Sequence, residues 1–361
     1  MKILITGGAG FIGSHVADAY VGLGHEVVVV DNLSTGKQEF VNPNAQFIEA
    51  DITDQETIQS IISVQRPDII NHHAAHIQVG HSVEDPQFDA TNNILGTLNI
   101  MEIAKEIPVK KVIFASTGGA IYGDKPTPFN ETMKEEPLAP YGVSKRAAEL
   151  YLNYYYELYS IPYVCLRYSN VYGPRQNAHG ESGVVAIFSE AIMKDKAPII
   201  NGDGTHTRDY VYISDVVEAN VLALKTDFVG ELNIGTKTEI STNDVFDKVV
   251  RLFGKDFKRE YGPERPGEQV TSSLDASKAK AKLGWEPKVR FDEGVAKVAE
   301  WYQENSWQID FSLLDYHYHD DRISLRFRPT ADAGPFYFIP IFFFKRSTLK
   351  INFENSLYNL E

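Results

Sequence analysis

The sequence predicts an α/β fold built on a doubly wound parallel sheet, and two observations carry this prediction. Through about the first 170 residues, short apolar segments alternate with longer segments of helical character. Alternation of this kind indicates parallel strands joined by helical crossovers that cover both faces of the sheet. The first apolar segment also runs directly into a glycine-rich turn, and a strand, such a turn and a helix in this order are typical of a Rossmann-type sheet.

The apolar pattern places the elements in order along the chain. We expect strands at residues 2–6, 25–30, 46–50, 68–71, 111–115 and 162–167, and helices at residues 11–23, 54–63, 85–106 and 140–159. From about Gly173 the alternation becomes irregular, which predicts a smaller, interleaved C-terminal lobe that covers the cleft and binds the substrate. The expected domains are a dinucleotide-binding domain at 1–173, a substrate-binding lobe at 174–306 and an atypical segment at 307–361.

The glycine-rich turn carries a dinucleotide-binding pattern. Gly7, Gly10 and Gly13 have the spacing Gly-x-x-Gly-x-x-Gly, a variant of the usual Gly-x-Gly-x-x-Gly. Glycines here allow a tight turn and let a pyrophosphate approach the backbone amides at the N-terminus of the next helix. Asp31 follows the second strand, eighteen residues after Gly13. A carboxylate there can accept hydrogen bonds from ribose hydroxyls and would repel a 2′-phosphate, so the sequence favours NAD over NADP.

Tyr141 and Lys145 stand four residues apart at the start of the helix expected at 140–159. A phenol has a reference pKa of about 10 and is a poor base at neutral pH. An ammonium four residues further on lies on the same helix face and favours the phenolate. Because a dinucleotide-binding turn precedes it in the same chain, this pair predicts a proton-transfer device beside a dinucleotide.

The composition argues against several classes of partner. The formal net charge is −14, which is unfavourable for nucleic acid and for an anionic membrane surface. The single cysteine, Cys165, is expected to be a buried thiol in a reducing compartment. The chain enters its first strand at residue 2, so we expect no signal peptide, and the aromatic stretch 336–344 is too short to cross a bilayer. These features predict a soluble, cytoplasmic protein.

A series of motifs occurs in one order along the chain. They are Thr-Gly-Gly-Ala-Gly-Phe-Ile-Gly at 6–13, Asp-Ile-Thr-Asp at 51–54, His-His-Ala-Ala at 72–75, Ser-Val-Glu-Asp-Pro at 82–86, Ser-Thr-Gly-Gly-Ala-Ile-Tyr-Gly at 116–123, Tyr-Gly-Val-Ser-Lys at 141–145, Arg-Tyr-Ser-Asn-Val-Tyr-Gly-Pro at 167–174, the segment 202–211 and Arg-Pro-Gly-Glu at 265–268. Over about residues 1–306 the chain resembles the extended short-chain dehydrogenase/reductase family. Within that family it resembles the nucleotide-sugar 4-epimerases of the UDP-glucose (UDP-galactose) 4-epimerase type.

The resemblance implies NAD as cofactor and a set of contacts to it. Asp51 and Ile52 would contact the adenine, Tyr168 would hold the nicotinamide carboxamide, and Lys145 would bind the nicotinamide ribose. His73 and its two neighbours would form the wall behind the cofactor. The implied cofactor-binding residues are Gly7, Gly10, Phe11, Ile12, Gly13, Asp31, Asn32, Asp51, Ile52, His73, Ala74, Ala75, Tyr141, Lys145 and Tyr168.

The resemblance also implies epimerisation at C4 of a UDP-sugar through a 4-keto intermediate. Tyr141 would act as base on the 4-hydroxyl, and Thr117 would hydrogen-bond to that hydroxyl. Many members carry further hydroxyls where this chain has Gly118 and Gly119, so the sequence leaves open whether Ser116 or Thr117 assists. The implied catalytic residues are Tyr141, Lys145, Thr117 and Ser116, and the implied substrate-binding residues are Thr117, Tyr141, Asn170, Arg208, Arg265, Glu268 and Ser272.

Alternative functions on the same scaffold remain at this stage. A uronate epimerase, a decarboxylase and a non-catalytic NAD-binding regulator share most of the motifs. A 4,6-dehydratase would carry an acid pair where this chain has Gly118 and Gly119. In the resembling family, a position a few residues after the Arg-Pro-Gly-Glu motif lines the sugar pocket near C2, and the matching residue here is Ser272. The resemblance implies that a small residue there admits an N-acetyl group, as in UDP-N-acetylglucosamine.

Two clusters of side chains have a structural interpretation. His72, His73, His76 and His81 suggest a metal cluster, but the first two are adjacent in a strand and face opposite ways, so we expect no metal. The tyrosine-rich helix 140–159 suggests a stacking platform. In the resembling family the equivalent helix commonly lies between two subunits, so we expect a homodimer.

The C-terminal segment is atypical in composition. Residues 308–361 hold 12 aromatic side chains in 54 residues, against 30 in the first 307. This content is too apolar for ordinary disorder. The segment is then an added strand-rich layer, a contact surface for another chain, or a sequence that selection has not shaped.

Overall fold

A seven-stranded sheet forms the centre of the computed structural model, which describes residues 1–178, 183–264 and 269–305 together with the backbone of five strands further on. The sheet strands are β1 (Lys2–Thr6), β2 (Glu26–Asp31), β3 (Gln46–Glu49), β4 (Ile69–His72), β5 (Lys111–Thr117), β6 (Tyr163–Tyr168) and β10 (Gly230–Ile234). Their order in space is β10-β6-β5-β4-β1-β2-β3, and every neighbouring pair is parallel. The predicted α/β fold is confirmed.

Helices cover both faces of this sheet. In chain order, the helices of residues 1–305 are α1 (Phe11–Gly22), α2 (Gln55–Gln65), α3 (Val79–Glu84), α4 (Pro86–Ala90), α5 (Gly96–Ala104), α6 (Gly118–Ile121), α7 (Pro140–Tyr159), α8 (Val184–Met193), α9 (Ile213–Ala223), α10 (Thr242–Leu252), α11 (Ser277–Leu283) and α12 (Phe291–Asn305). In β1, Ile3 and Ile5 pack with α1 and α9, whereas Leu4 packs with α2, α5 and α7 on the other face. Because both faces are covered, the central strands are apolar at nearly every position.

The order of strands reverses at β1, and this creates the site for a ligand. β2 and β3 lie on one side of β1, and β4, β5, β6 and β10 lie on the other. In open α/β sheets, ligands bind outside the carboxyl ends of the strands at such a reversal. The glycine-rich turn after β1, Asp31 at the end of β2 and Thr117 at the end of β5 all lie at this edge.

The long helix expected at 85–106 is present as one continuous helical run over residues 86–104, in which α4 passes through a π-helical turn at Thr91–Leu95 into α5. Asp85 separates α3 from this run, and its carboxylate accepts a hydrogen bond from Phe88 N at 2.9 Å to cap α4. Pro86 at the first helical position favours the new start. In the π-helical turn Thr91–Leu95, the Thr97 hydroxyl donates to Asn93 O at 2.7 Å, and an inserted side-chain bond of this kind distorts the regular ladder.

The second half of the chain contributes to the large sheet and to a smaller layer. β10 returns beside β6, while two small sheets form separately. One contains β7 (Asn170–Tyr172), β9 (Thr207–Tyr212) and β11 (Glu239–Ser241), and the other pairs β8 (Ile199–Asn201) with β12 (Glu260–Gly262). Both pack with α8, α10 and α12 around a third apolar cluster. Residues 1–304 form one unit, and the domain boundary at 173 remains a prediction.

Residues 305–361 form a second unit. Its strands β13 (Leu314–His319), β14 (Arg322–Phe327) and β15 (Phe342–Lys345) make an antiparallel sheet, and β16 (Asn352–Phe353) pairs with β17 (Ser356–Leu357). What this unit does remains a prediction. In the described ranges, no helix is both long enough and apolar enough to cross a membrane.

A chain ending at Trp307 should fold and retain the active site. Every apolar cluster of residues 1–304 is built from side chains of that unit, so truncation removes none of its described core. We expect the thermal unfolding midpoint and the amount of bound NAD to match those of the full chain. Insolubility of the shorter chain, or loss of its activity, would show that the C-terminal segment belongs to the fold.

Candidate active site

The glycine-rich turn after β1 is shaped for close contact with a ligand. Gly7 has a φ of +69°, and a Cβ there would lie 2.5 Å from Ala74 N. A Cβ on Gly13 would overlap Gly7 O. Both positions therefore require glycine, because only glycine tolerates this conformation and this approach. α1 begins directly afterwards at Phe11, so its first backbone amides and the positive end of its dipole meet at the turn, as a pyrophosphate requires.

Asp31 holds the turn in place and brings a negative charge beside it. Its side chain is 7% exposed, and its carboxylate accepts hydrogen bonds from Ala9 N at 2.9 Å and Leu33 N at 2.8 Å. Burial raises the pKa of the Asp31 carboxyl, and these backbone donors act in the opposite direction. The position fits the ribose contact expected from the sequence, and the carboxylate also has a structural role that the sequence did not reveal.

Asn32 and Asp51 lie together beside the end of β2. The Asn32 side-chain amide donates to Asp51 Oδ2 at 2.8 Å, and Thr53 donates to Oδ1 through its backbone N at 2.8 Å and its hydroxyl at 2.7 Å. Burial raises the pKa of the Asp51 carboxyl, but the hydrogen bonds from Thr53 and Asn32 outweigh it and leave this pKa lowered. Ile52 is buried against Gly96 of α5, so the segment is fixed at the place where the adenine is expected.

His73 and Tyr168 form the back of the cleft. Their rings stack with centroids 6.3 Å apart, and His73 Nε2 lies 3.4 Å from the Tyr168 hydroxyl. Asn220 donates to that hydroxyl at 2.9 Å. Burial, together with the charge of Lys145, lowers the pKa of His73 to about 3, so the ring is neutral. His73 Nδ1 is buried without a hydrogen-bond partner in the protein, which fits a polar group of a bound dinucleotide at this wall.

Lys145 lies on α7 under the expected nicotinamide site. Its side chain is buried, its Nζ donates to Ala115 O at 2.9 Å, and the ammonium lies 4.6 Å from the centre of the Phe114 ring. Burial lowers the pKa of Lys145 to about 8, and the charges of Asp89 and Glu149 oppose this decrease. Tyr141 stands one turn earlier on the same helix, and its backbone N donates to the Ser82 hydroxyl at 3.2 Å.

The structure assigns different surroundings to the two hydroxyls at the end of β5. Ser116 is buried, and its hydroxyl donates to Glu149 Oε1 at 2.6 Å. Thr117 Oγ1 and Asn170 Oδ1 each lie 3.9 Å from the position that a Cβ on Gly119 would occupy. Thr117 and Asn170 thus border one space, which the absence of a side chain at Gly119 keeps open.

A buried ion pair that sequence reasoning missed fixes α7 to the sheet. Arg167 on β6 donates to Glu149 through Nε at 2.9 Å and Nη2 at 2.7 Å, and both side chains are at most 1% exposed. Arg167 Nη1 also donates to the Tyr122 hydroxyl at 2.8 Å, and Nη2 donates to Glu135 at 2.9 Å. No short motif signals this pair, since its members come from different elements.

The segments around Arg208 are organised by Asp209, which sequence reasoning also missed. Asp209 follows Arg208 on β9 and is fully buried. Its carboxylate accepts hydrogen bonds from the backbone amides of Thr236, Lys237 and Leu274 and from the Thr236 hydroxyl, at 2.6 to 3.1 Å. One carboxylate therefore joins the arginine-bearing strand to two loops.

The remaining predicted substrate residues have different positions. Arg208 is half-buried, and its Nη1 donates to Thr207 O at 2.8 Å. Ser272 is 2% exposed in the segment that leads to Leu274. Arg265 and Glu268 lie outside the described residues.

Gly118 explains why no acid stands at this position. A Cβ there would overlap Leu274 Cδ1 and lie 2.7 Å from Leu274 Cδ2. Leu274 is fully buried, so it fills the space that a side chain at 118 would need. A side chain at position 118 would therefore require Leu274 to shift.

The histidines do not form a metal site in the described part of the chain, where no group of three or more metal-ligating side chains comes together. His72 lies between the hydroxyls of Thr6 and Thr97, at 2.7 and 3.0 Å. His76 and His81 contact each other edge-on, with centroids 4.9 Å apart. These rings pack and hydrogen-bond within the protein.

Comparison with known proteins identifies the family. Residues 3–235 match the NAD dependent epimerase/dehydratase family. The chain belongs to this family. A UDP-glucose 4-epimerase of Mycolicibacterium smegmatis is 42% identical over 313 residues, which are 85% of this chain and 100% of that protein.

Two solved structures of family members match closely. The UDP-glucose 4-epimerase of Thermotoga maritima with UDP-glucose is 46% identical, with a TM-score of 0.83 and coverage of 85% of this chain and 100% of that one. The UDP-glucose 4-epimerase of Thermus thermophilus in complex with NAD is 43% identical, with a TM-score of 0.82 and coverage of 84% and 100%. The resemblance inferred from the motifs is confirmed, and the epimerase/dehydratase family to which the chain belongs depends on NAD.

Asp31 should control both the affinity for NAD and the preference against NADP. Asp31→Ala removes the acceptor for Ala9 N and Leu33 N and also the negative charge, so NAD binding should weaken and discrimination against NADP should decrease. Asp31→Asn loses the charge and one of the two acceptor oxygens but keeps the other, so it should relax discrimination with a smaller loss of NAD affinity than Asp31→Ala. Calorimetric titration with both dinucleotides measures the two effects. Unchanged selectivity in both variants would remove Asp31 from the cofactor site.

Proposed function

We propose that this protein is an NAD-dependent isomerase that interconverts UDP-glucose and UDP-galactose by epimerisation at C4. The observation that carries the proposal is the arrangement of three side chains beside the dinucleotide-binding turn. Tyr141 and Lys145 stand on one face of α7, and Thr117 ends the neighbouring strand β5. The family relatives that bind UDP-glucose and NAD support this assignment.

Each of these side chains has a role in moving a proton at the sugar. Tyr141 accepts the proton of the 4-hydroxyl and returns it when the product forms. Lys145 favours the phenolate by its positive charge. Thr117 donates to or accepts from the reacting oxygen, whereas Ser116 acts through its bond to Glu149 in fixing the end of β5. Bound NAD supplies the hydride acceptor and donor for C4.

The cleft also suits repeated use of one cofactor molecule. The turn with Gly7 and Gly13, the buried carboxylate of Asp31 and the neutral His73 would hold NAD along its length. On the other side, Asn170, Arg208, Arg265 and Glu268 are the residues proposed to bind the UDP-sugar. Positive charge is needed there because the protein is acidic overall and the diphosphate is anionic.

The competing functions have less support. A 4,6-dehydratase lacks its acid pair, since Gly118 is packed against Leu274. A non-catalytic NAD-binding regulator would not need Thr117, Tyr141 and Lys145 together. A uronate epimerase or decarboxylase would need to recognise a carboxylate at C6 of the sugar.

The direct test is conversion of UDP-glucose to UDP-galactose by the purified protein with NAD. A panel of UDP- and dTDP-sugars, with products identified by NMR, extends the test to the other sugars. Formation of UDP-galactose without net reduction of NAD is expected. A 4-keto-6-deoxy product, a decarboxylated product or no turnover would contradict the proposal.

We further propose that the protein is a cytoplasmic homodimer. α7 exposes Leu150, Tyr151, Tyr154 and Leu158, each between 40% and 59% exposed, along one side of the helix. A row of large apolar side chains at this spacing is typical of a surface that pairs with another helix. The reduced, buried Cys165 and the acidic composition suit a cytoplasmic setting.

Tyr141→Phe should abolish turnover while NAD stays bound. The substitution removes the proposed base and leaves the ring, so kcat should fall by about 10²–10⁴-fold. Steady-state kinetics and the NAD content of the purified protein measure the two effects. Tyr151→Phe, on the exposed side of the same helix, is the matched control and should keep wild-type kcat. A near wild-type rate for Tyr141→Phe would mean that another group is the base.

We also propose activity on UDP-N-acetylglucosamine. Leu274 packs against Gly118 beside Thr117, which would place Ser272, two residues earlier, near the sugar. Because Ser272 is small, it would leave room for the N-acetyl group. Ser272→Tyr should lower activity on the N-acetyl sugar through a clash and spare UDP-glucose, because a repulsive contact can create specificity. Ser272→Ala should keep both activities. The ratio of kcat/KM values for the two sugars measures the effect, and equal loss on both, or no N-acetyl activity in the wild type, would rule the idea out.

A further inference from the structure

Asp89 on α4 is a fully buried carboxylate that the proposed reaction does not use. Ser144 donates to its Oδ2 through the side-chain hydroxyl, and Asn93 donates to its Oδ1 at 3.0 Å. His76 Nδ1 lies 3.4 Å from Oδ1. Among the described residues, the carboxylate has neutral hydrogen-bond donors and no lysine or arginine within ion-pair distance. A buried negative charge is costly unless a positive charge compensates it.

Lys145 on α7 is a buried cation whose contacts do not include a carboxylate. Its ammonium is buried, and its recorded partners are a backbone carbonyl, Ala115 O, and the face of the Phe114 ring. Neither partner carries a negative charge. Ser144, whose hydroxyl bonds to Asp89, is the residue immediately before Lys145. The Asp89 carboxylate therefore contacts α7 at the residue next to Lys145, whose Nζ lies at the end of β5.

The other titratable groups around Lys145 do not supply its counter-charge. Glu149, on the same helix, is already paired with Arg167 and lies 3.0 Å from Arg146. The remaining neighbours that interact with Lys145 are His72 and His73 on β4 and Cys165 on β6. Burial lowers the pKa of both histidines and raises the pKa of the Cys165 thiol, so all three are neutral near pH 7.

His76 is the titratable side chain that faces Asp89 from the loop after β4, and Tyr141 is the proposed base on the helix of Lys145. Tyr141 carries a negative charge only as the phenolate that Lys145 favours. Within the described ranges, Asp89 is a buried carboxylate next to α7 that no lysine or arginine pairs with, and its ion-pair contact is His76, which is charged only when protonated.

We propose that Asp89 is the counter-charge of Lys145, a positioning residue that keeps the Lys145 ammonium protonated beside Tyr141 in the epimerase reaction proposed above. Asp89 acts through the low-dielectric contact between α4 and α7, where an electrostatic interaction is screened little by water. The Asn93 amide and the Ser144 hydroxyl hold the carboxylate in the orientation that this interaction needs.

The charge of Asp89 should determine where activity falls as pH rises. Lys145 must be protonated to favour the Tyr141 phenolate, so activity should fall as pH rises through the pKa of Lys145, which burial lowers to about 8 while Asp89 is present. A charged Asp89 favours the ammonium. Removing that charge should lower the pKa of Lys145 further, and the alkaline decrease in activity should begin at lower pH.

The test is Asp89→Asn in the NAD-loaded full chain, with kcat for UDP-glucose measured against pH. The variant keeps the shape of the side chain, and we expect the alkaline limb to move by about one pH unit toward acid. Asp85→Asn is the matched control, since it removes a charge from the N-cap of the same helix and keeps an oxygen for Phe88 N. Its limb should coincide with that of the wild type. A uniform loss of kcat in Asp89→Asn, with the limb unmoved, would overturn the proposal.

A second measurement separates this proposal from the proposed function. In protein labelled with [ε-¹³C]lysine, the NMR titration of Lys145, assigned by its absence in Lys145→Arg, should show the same acid shift in Asp89→Asn, even if UDP-glucose is not the substrate. Should Asp89→Asn fail to fold, Asp89→Ser removes the charge and leaves a small acceptor. The wild-type titration also decides: a Lys145 midpoint below about 7, as for a buried lysine without a counter-charge, would overturn the proposal.

Discussion

The ion pair between Glu149 and Arg167 is the constraint on which the geometry of the active site depends. Two N–H···O bonds join these buried side chains, and Glu149 accepts a third bond from the Ser116 hydroxyl. One carboxylate thereby ties α7 to β5 and to β6. Tyr141 and Lys145 lie on α7 at eight and four residues before Glu149, so their height above the sheet is set by this contact. Removal of one partner would break this two-bond contact and leave the other buried charge with a single ion-pair partner, Arg146 for Glu149 or Glu135 for Arg167.

Much of the fold was predictable because its signals are local. Each central strand is a short apolar run, the glycine turn is contiguous, and the i, i+4 spacing of Tyr141 and Lys145 places them on one helix face. The helix expected at 85–106 likewise begins where Asp85 and Pro86 signal an N-terminus, but the π-helical turn inside it was not predicted.

The parts of the site that the sequence did not predict depend on contacts between distant segments. Asp209 joins two loops to its own strand, and Asn220 reaches Tyr168 from α9. Gly118 was visible as a departure from the family pattern, but its physical reason is the side chain of Leu274, more than 150 positions away in the chain. No spacing rule encodes such a contact, whereas buried polar groups and overlapping Cβ positions reveal it directly in three dimensions.

The position of β10 has a consequence for how the molecule is made. This strand pairs with β6 at the edge of the large sheet, but the chain between them first forms β7, α8, β8, β9 and α9. During synthesis the edge of β6 therefore stays unpaired until residue 234 has emerged, and an unpaired edge invites association with other chains. The long loop that must close before β6 and β10 meet also raises the contact order and slows folding. The seven-stranded sheet consequently cannot be completed before β7, α8, β8, β9 and α9 have been made, and these elements and the sheet reach their final form together.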